Sequence, residues 1–175
     1  MKRLNLGCGT DIRENWINLD HVPLPGVDIV HDLNEVPYPF SSGELDYILC
    51  KDVIEHLNDP AQTLKELHRI LNNGGRLRIT VPHFTSADSY ADPTHKNCFS
   101  SKTFLFFLGD HSRSYYFDFS FREVKVKITF LKKLYLPWNY LLEPLININD
   151  QTRLIYEYSP LRLFPAFNIE VELTR

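Results

Sequence analysis

Apolar residues fall in short clusters along the first half of the chain, separated by turn-forming residues. Leu4–Leu6, Ile17–Leu19 and Val27–Val30 are brief apolar runs bounded by Gly, Pro or Asp, and they read as three successive buried strands. Leu45 to Cys50 predicts a fourth strand, and Asp52 to Leu57 a short helix or turn. Asp59-Pro60 then opens a helix, with Asp59 as N-cap and Pro60 in the first position. Leu64, Leu67, Ile70 and Leu71 form its apolar stripe, and Gly74 marks the expected stop. Arg76 to Val81 predicts a fifth strand closed by Pro82, and Phe167 to Leu173 alternates cleanly as a final strand.

Between the fifth and final strands the pattern is less regular. His83 to Phe99 is polar and reads as a long loop over a site. Ser100 or Ser101 caps a predicted helix through Leu108, Phe117 to Phe130 is strand-like, and Pro137 to Ile148 reads as a helix interrupted near Pro144. The early connections are unusual: six residues separate Gly9 from Trp16, and six separate Asp20 from Val27. A parallel crossover ordinarily needs a dozen or more. Either the crossover helices are trimmed to turns or the three strands are not all parallel neighbours; the pattern favours trimming.

The 175 residues suit one domain: a first half, 1–82, a substrate or lid region, 83–150, and a terminal strand region, 151–175. A net charge of −3 gives no global drive toward nucleic acid or an anionic membrane. Lys125, Lys127, Lys132 and Lys133 read as solvated strand lysines. Cys8, Cys50 and Cys98 are odd in number and widely spaced, which argues against a disulfide framework or zinc knuckle and suits a cytoplasmic location. The N-terminus carries no apolar leader, and the longest apolar run, Thr103 to Leu108, is too short to span a bilayer.

Candidate chemistry concentrates where the strands end. Gly7-Cys8-Gly9 follows the first strand, where a backbone must turn sharply and approach a ligand. Asp20 ends the second, where a carboxylate can hold a ribose diol. A dinucleotide loop would need a third glycine near position 12, which is Ile12, and a full helix to hold pyrophosphate. The order of motifs resembles class I S-adenosylmethionine-dependent methyltransferases. Leu4-Asn5-Leu6-Gly7-Cys8-Gly9 is similar to that family's first motif, Asp20 to its second-strand acid and His31-Asp32-Leu33 to its adenine-side motif. Leu45–Ile48 with Asp52–Leu57 is similar to its fourth strand and turn, and Leu64 to Val81 to its helix and fifth strand. The match covers roughly residues 2 to 82; Thr10-Asp11-Ile12 departs from the family's usual third glycine, and Lys51 stands where an aromatic or small residue is common.

The resemblance implies a Rossmann-like α/β fold, a mostly parallel sheet with an antiparallel C-terminal strand. It implies S-adenosyl-L-methionine as cofactor, held around Leu6, Gly7, Cys8, Gly9, Asp20, His21, Asp32, Leu33, Cys50, Lys51 and His56. Asp32 would receive the adenine amino group, and Cys50 and Lys51 backbone would line the methionine end. For an O or N acceptor on a small polar or saccharide-like molecule, His95 is the expected base, oriented by Asp92 or Asp88. His83, Asp88, Asp92 and His95 could hold a divalent metal, but no metal is assigned on the sequence. A homodimer is compatible with the chain. Two rival readings are a cofactor-binding interaction module, motivated by the apolar 104–116 and 134–142 stretches, and a nucleic-acid methyltransferase. The second lacks an NPPY or DPPY motif.

Overall fold

A computed structural model describes residues 1–112, 114–133 and 136–175. Seven strands form one sheet: β1 (Arg3–Leu6), β2 (Ile17–Asp20), β3 (Ile29–Val30), β4 (Leu45–Lys51), β5 (Leu71–Pro82), β6 (Glu123–Ile128) and β7 (Asn168–Thr174). Their spatial order is β3-β2-β1-β4-β5-β7-β6, with β7 antiparallel to both neighbours and the β3-to-β5 pairs parallel. Among the described residues four α-helices accompany it: α1 (Pro60–Ile70), α2 (Asp88–Ala91), α3 (Asn139–Ile146) and α4 (Asp150–Tyr158).

No helix intervenes between β1 and β2 or between β2 and β3. The loop that replaces the first crossover is tied down by buried amides. Asn5 Nδ2 donates to the Asp11 carbonyl at 2.6 Å, and Asn18 Oδ1 accepts from the Arg13 N–H at 3.0 Å. The Asp28 carboxylate takes the Asn18 N–H at 2.7 Å. Buried asparagines thus satisfy backbone groups that a helix would otherwise have satisfied itself.

The missing helices leave the two sheet faces unlike each other. Register places Leu4, Ile48, Leu77 and Leu173 opposite one another, and likewise Leu6, Cys50, Ile79 and Val171. These are buried in one core with α1 and with Phe99, Phe104, Phe107 and Phe121. The alternate positions carry Arg3, Tyr47, Lys51, Arg76, Arg78, Glu170 and Glu172, half-buried or exposed. Arg78 pairs with Glu170 at 3.1 Å, and the Arg3 and Arg13 guanidinium groups each lie 5.4 Å from the Trp16 ring centre. Parallel sheets are usually covered on both faces; here β5 and β7 alternate apolar and polar as a half-solvated sheet does.

Helix α1 begins as its sequence predicts, the Asp59 carboxylate accepting the Gln62 N–H at 2.9 Å. It stops at Ile70 rather than Gly74, and β5 follows without a loop. The Gly43 N–H and Arg175 guanidinium bond the Arg69 carbonyl, taking an acceptor left open at the helix end. The helix expected to end at Leu108 is a 3-10 turn at Thr103–Phe107, and only Glu123–Ile128 of the Phe117–Phe130 segment is strand. Pro144 lies inside α3. Helix α4 falls where only a terminal strand region was expected, and a capping box between Asn149 and Thr152 starts it. Phe104 and Phe107 belong to the core, which removes part of the apolar surface that favoured an interaction module. Of the 134–142 stretch, residues 134 and 135 lie outside the described residues, while Trp138, Tyr140 and Leu141 are exposed.

Candidate active site

Strand order reverses between β1 and β4, and open α/β sheets bind ligands at the carboxyl ends of strands at such a point. A cavity of about 680 Å³ opens there. Its walls include Gly7 after β1, Asp20 and His21 at the end of β2, Asp32, Leu33 and Asn34 after β3, and Asp52, Val53, His56 and Leu57 after β4. A hollow of about 630 Å³ on the bare sheet face, lined by Arg3, Trp16, Tyr47 and Arg78, lacks this position at the switch point.

The turn after β1 depends on its glycines. Gly7 has φ +65°, and a Cβ there would lie 2.4 Å from Val53 Cγ2. Gly9 has φ +49° and no atom within 4 Å of where its Cβ would be, so its backbone faces open space. Asp20 braces the turn: one oxygen accepts the Gly9 N–H at 2.8 Å and the other the Val22 N–H at 3.0 Å. His21 Nδ1 lies 3.1 Å from the same carboxylate. Asp32 takes the Asn34 N–H and side-chain amide, both at 2.9 Å, and these bonds hold its carboxyl below the usual carboxylate range.

Of the residues expected around the cofactor, Gly7, Asp20, His21, Asp32, Leu33 and His56 line this cavity. Leu6, Cys8 and Cys50 are buried behind it, and burial raises both thiols above their ordinary range. Gly9 reaches it through its bond to Asp20. Lys51 lies on the bare face and at a second cavity. Asp52, in the sequence no more than the start of a turn, adopts φ +53° at the junction of both cavities. Aspartate tolerates that left-handed backbone better than most residues.

The second cavity, about 890 Å³, is lined by Glu55, His56, Asp88, Asp92 and His95. It meets the first at Asp52, His56 and Pro93. The Glu55 carbonyl accepts the Lys96 and Asn97 N–H groups at 2.9 and 3.1 Å, fixing the 92–97 loop against the turn after β4. Asp92 does not orient His95 as expected. Its carboxylate accepts the Thr94 hydroxyl at 2.6 Å, and that hydroxyl oxygen lies 2.8 Å from His56 Nδ1. His95 Nδ1 faces the Ser89 carbonyl at 3.3 Å, and the His56 and His95 rings are 4.6 Å apart. Glu55 is 1% exposed, and neither carboxyl oxygen has a hydrogen-bond partner. Burial foremost, with Asp52 and Asp92 nearby, pushes its carboxyl up to about 7. The N–H groups of Glu55 and Val53 offset part of that rise without completing a bond.

His83 stands apart from the metal-ligand set that its sequence neighbours suggest. It is fully buried, with Nε2 at 3.1 Å from Glu157 on α4 and Nδ1 at 2.8 Å from Thr85. Ser101 N–H also donates to Glu157, at 2.7 Å. Burial alone would raise the Glu157 carboxyl, but His83 and Ser101 outweigh it and hold it below its ordinary range.

The fold is that of the class I S-adenosylmethionine-dependent methyltransferases. A family model for the methyltransferase domain matches residues 1–143, and the chain belongs to that family. It is 28% identical over 141 residues to a tRNA U34 carboxymethyltransferase of Campylobacter curvus, covering 75% of this chain and 47% of that protein. It is 34% identical over 98 residues to a protein of Mycolicibacterium smegmatis named as a probable S-adenosylmethionine-dependent methyltransferase, covering 46% and 37%. The chain thus spans less than half the length of each of these relatives. Among solved structures, a SAM-dependent methyltransferase from Archaeoglobus fulgidus superimposes with a TM-score of 0.64 at 18% identity, over 99% of this chain and 86% of that one. A counterpart from Mesorhizobium loti gives 0.57 at 13%, over 99% and 90%. No helix among the described residues is long and apolar enough to cross a membrane.

Proposed function

We propose that the protein transfers a methyl group from S-adenosylmethionine to an oxygen or nitrogen of a small polar or saccharide-like acceptor. The observation that carries this is the charge of the first cavity. Three carboxylates, Asp20, Asp32 and Asp52, and one lysine, Lys96, face it beside the exposed turn at Gly9. That set suits a phosphate-free, cationic ligand with a ribose diol, and opposes a dinucleotide. When bound, the cofactor would supply a methyl carbon on a positively charged sulfur, which would keep the electron pair of the carbon–sulfur bond.

In this reading Asp20 accepts the ribose hydroxyls with the lone pairs that Gly9 and Val22 leave free, and Asp32 with Leu33 meets the adenine. Leu6, Cys8 and Cys50 shape the wall from behind, and the Lys51 backbone borders the methionine end. The acceptor enters the second cavity, where Glu55, His56 and His95 activate it; Asp92 acts through Thr94. The acceptor's lone pair forms the new bond to carbon, and its proton leaves at this trio. Positioning supplies much of the acceleration, about 7–11 kcal/mol for well-oriented reactants. The three free cysteines suit a cytoplasmic location.

Calorimetric titration with S-adenosylmethionine, S-adenosylhomocysteine and NAD tests the reading. Saturable binding of the first two and none of NAD supports it; preference for NAD overturns it. A nucleic-acid acceptor is the second reading, favoured by Arg3 and Arg13 stacked on Trp16 on the bare face and by the tRNA-directed name of one relative. Salt-dependent tRNA binding lost in Arg3→Ala and Arg13→Ala would select it.

A further inference from the structure

The second cavity contains a group that neither the cofactor reading nor hydrogen bonding accounts for. Glu55 is 1% exposed, and both its oxygens are buried without a partner. Unpartnered buried carboxyl oxygens are costly unless something in the cavity meets them. One ligand atom from each of Glu55, His56 and His95 lies within 4.8 Å of the other two.

The hydrogen bonds of the two histidines leave matching nitrogens free. The Thr94 hydroxyl gives its one hydrogen to Asp92, so it accepts from His56, whose Nδ1 therefore carries hydrogen. The Ser89 carbonyl can only accept, so His95 Nδ1 carries hydrogen too. In the neutral form of each ring, the tautomer with hydrogen on Nδ1 leaves the lone pair on Nε2. Metal-ligating histidines are held this way, one ring nitrogen donating to an oxygen while the other binds the ion.

We propose that Glu55, His56 and His95 bind a divalent first-row transition-metal ion such as Zn²⁺. Two imidazoles and a carboxylate suit Zn²⁺, Co²⁺, Mn²⁺ or Fe²⁺ better than the oxygen-seeking Ca²⁺ or Mg²⁺. Three protein ligands leave a position open toward the cavity, as in catalytic metal sites. This rests on the reading of the second cavity as the acceptor site: with an ion there, the three side chains would act on the acceptor through the ion instead of taking its proton themselves, the ion holding the acceptor's oxygen or nitrogen and the proton leaving to solvent through the cavity mouth.

The test is titration of the full chain with Zn²⁺ and with Co²⁺, without cofactor or acceptor, by calorimetry and by visible absorption of Co²⁺. One ion per chain is expected, with binding weakened more than about 100-fold in Glu55→Gln and His95→Gln, beyond the 10–100-fold typical of outer-shell partners. Thr94→Val, which removes the hydroxyl that links His56 Nδ1 to Asp92 and leaves all three proposed ligands in place, is expected to weaken binding roughly 10–100-fold. Circular dichroism verifies folding; should Glu55→Gln not fold, the affinity of Thr94→Val decides the matter. No saturation by on the order of 1 mM, or binding indifferent to these substitutions, overturns the proposal. S-adenosylhomocysteine titrated into the same samples separates the two readings: its binding without metal binding sinks only the metal site, and the reverse sinks only the cofactor site.

Discussion

The two cavities share Asp52, His56 and Pro93 yet are built differently. The first is mostly strand ends and short turns, closed on one side by Pro93, Thr94 and Lys96, and two of its carboxylates, Asp20 and Asp32, are fixed by backbone N–H groups at Gly9, Val22 and Asn34. The second takes its polar side chains mainly from the turn after β4, α2 and the 92–97 loop, over the ends of β4, β5 and β7 at Lys51, Pro82 and Asn168, and is held together by Thr94, Asp92 and the Glu55 carbonyl. A rigid recess suits a ligand common to a whole family. A wall of loop side chains suits whatever differs between members, since loops vary while the sheet persists.

If the division is real, substitutions on either side have separable effects. His95→Gln should lower kcat by roughly 10²–10⁴-fold, the usual worth of a group that handles the acceptor's proton. Its affinity for S-adenosylhomocysteine should stay within about threefold, under 1 kcal/mol. Asp20→Ala should do the reverse, weakening that affinity by on the order of 100-fold, because two charge-assisted bonds at about 1.5–3 kcal/mol each are at stake. Asp32→Asn keeps the Asn34 contacts and should cost closer to tenfold, about one such bond at the lower end. Equal losses of affinity from His95→Gln and Asp20→Ala would erase the distinction between the cavities.

Two further outcomes concern the frame that holds them. The Glu157 carboxyl is held below its ordinary range in the fold, so its stabilisation is complete above its unfolded value, about 4.3, and is lost as pH falls through the folded one. Thermal melts should therefore drop in acid for the native chain and less steeply for Glu157→Gln. The smallest effect belongs to the bare face. Arg78→Ala should change stability by under about 0.5 kcal/mol, against about 2–5 kcal/mol for its neighbour Leu77→Ala in the core. A comparable loss at Arg78 would mean that this face is buried in solution.

The first cavity is legible in the sequence because each of its parts has a local signature. Glycines mark the turn after β1, and an acid, Asp20, ends β2. The trimmed crossovers follow from simple counting between Gly9 and Trp16. Hidden from the sequence are the features fixed by tertiary contact. Helix α1 ends at Ile70 because Gly43 and Arg175 reach its last turn, not because of the glycine that follows. Glu55 gives no local signal, because its neighbours lie far along the chain in the 92–97 loop. His83 has the look of a ligand in a polar loop, yet α4 delivers Glu157 to it. The polar stripe of the bare face is written in Arg76, Arg78 and Thr80 alternating with Leu77, Ile79 and Val81, a local signal of one uncovered face.

A crystal structure of the chain grown with S-adenosylhomocysteine tests the account most directly. The ribose hydroxyls should meet the Asp20 carboxylate, the adenine should lie beside Asp32 and Leu33, and the sulfur should point toward His56. Density for the ligand elsewhere, or an Asp20 side chain turned away from it, would contradict the assignment on which the rest depends.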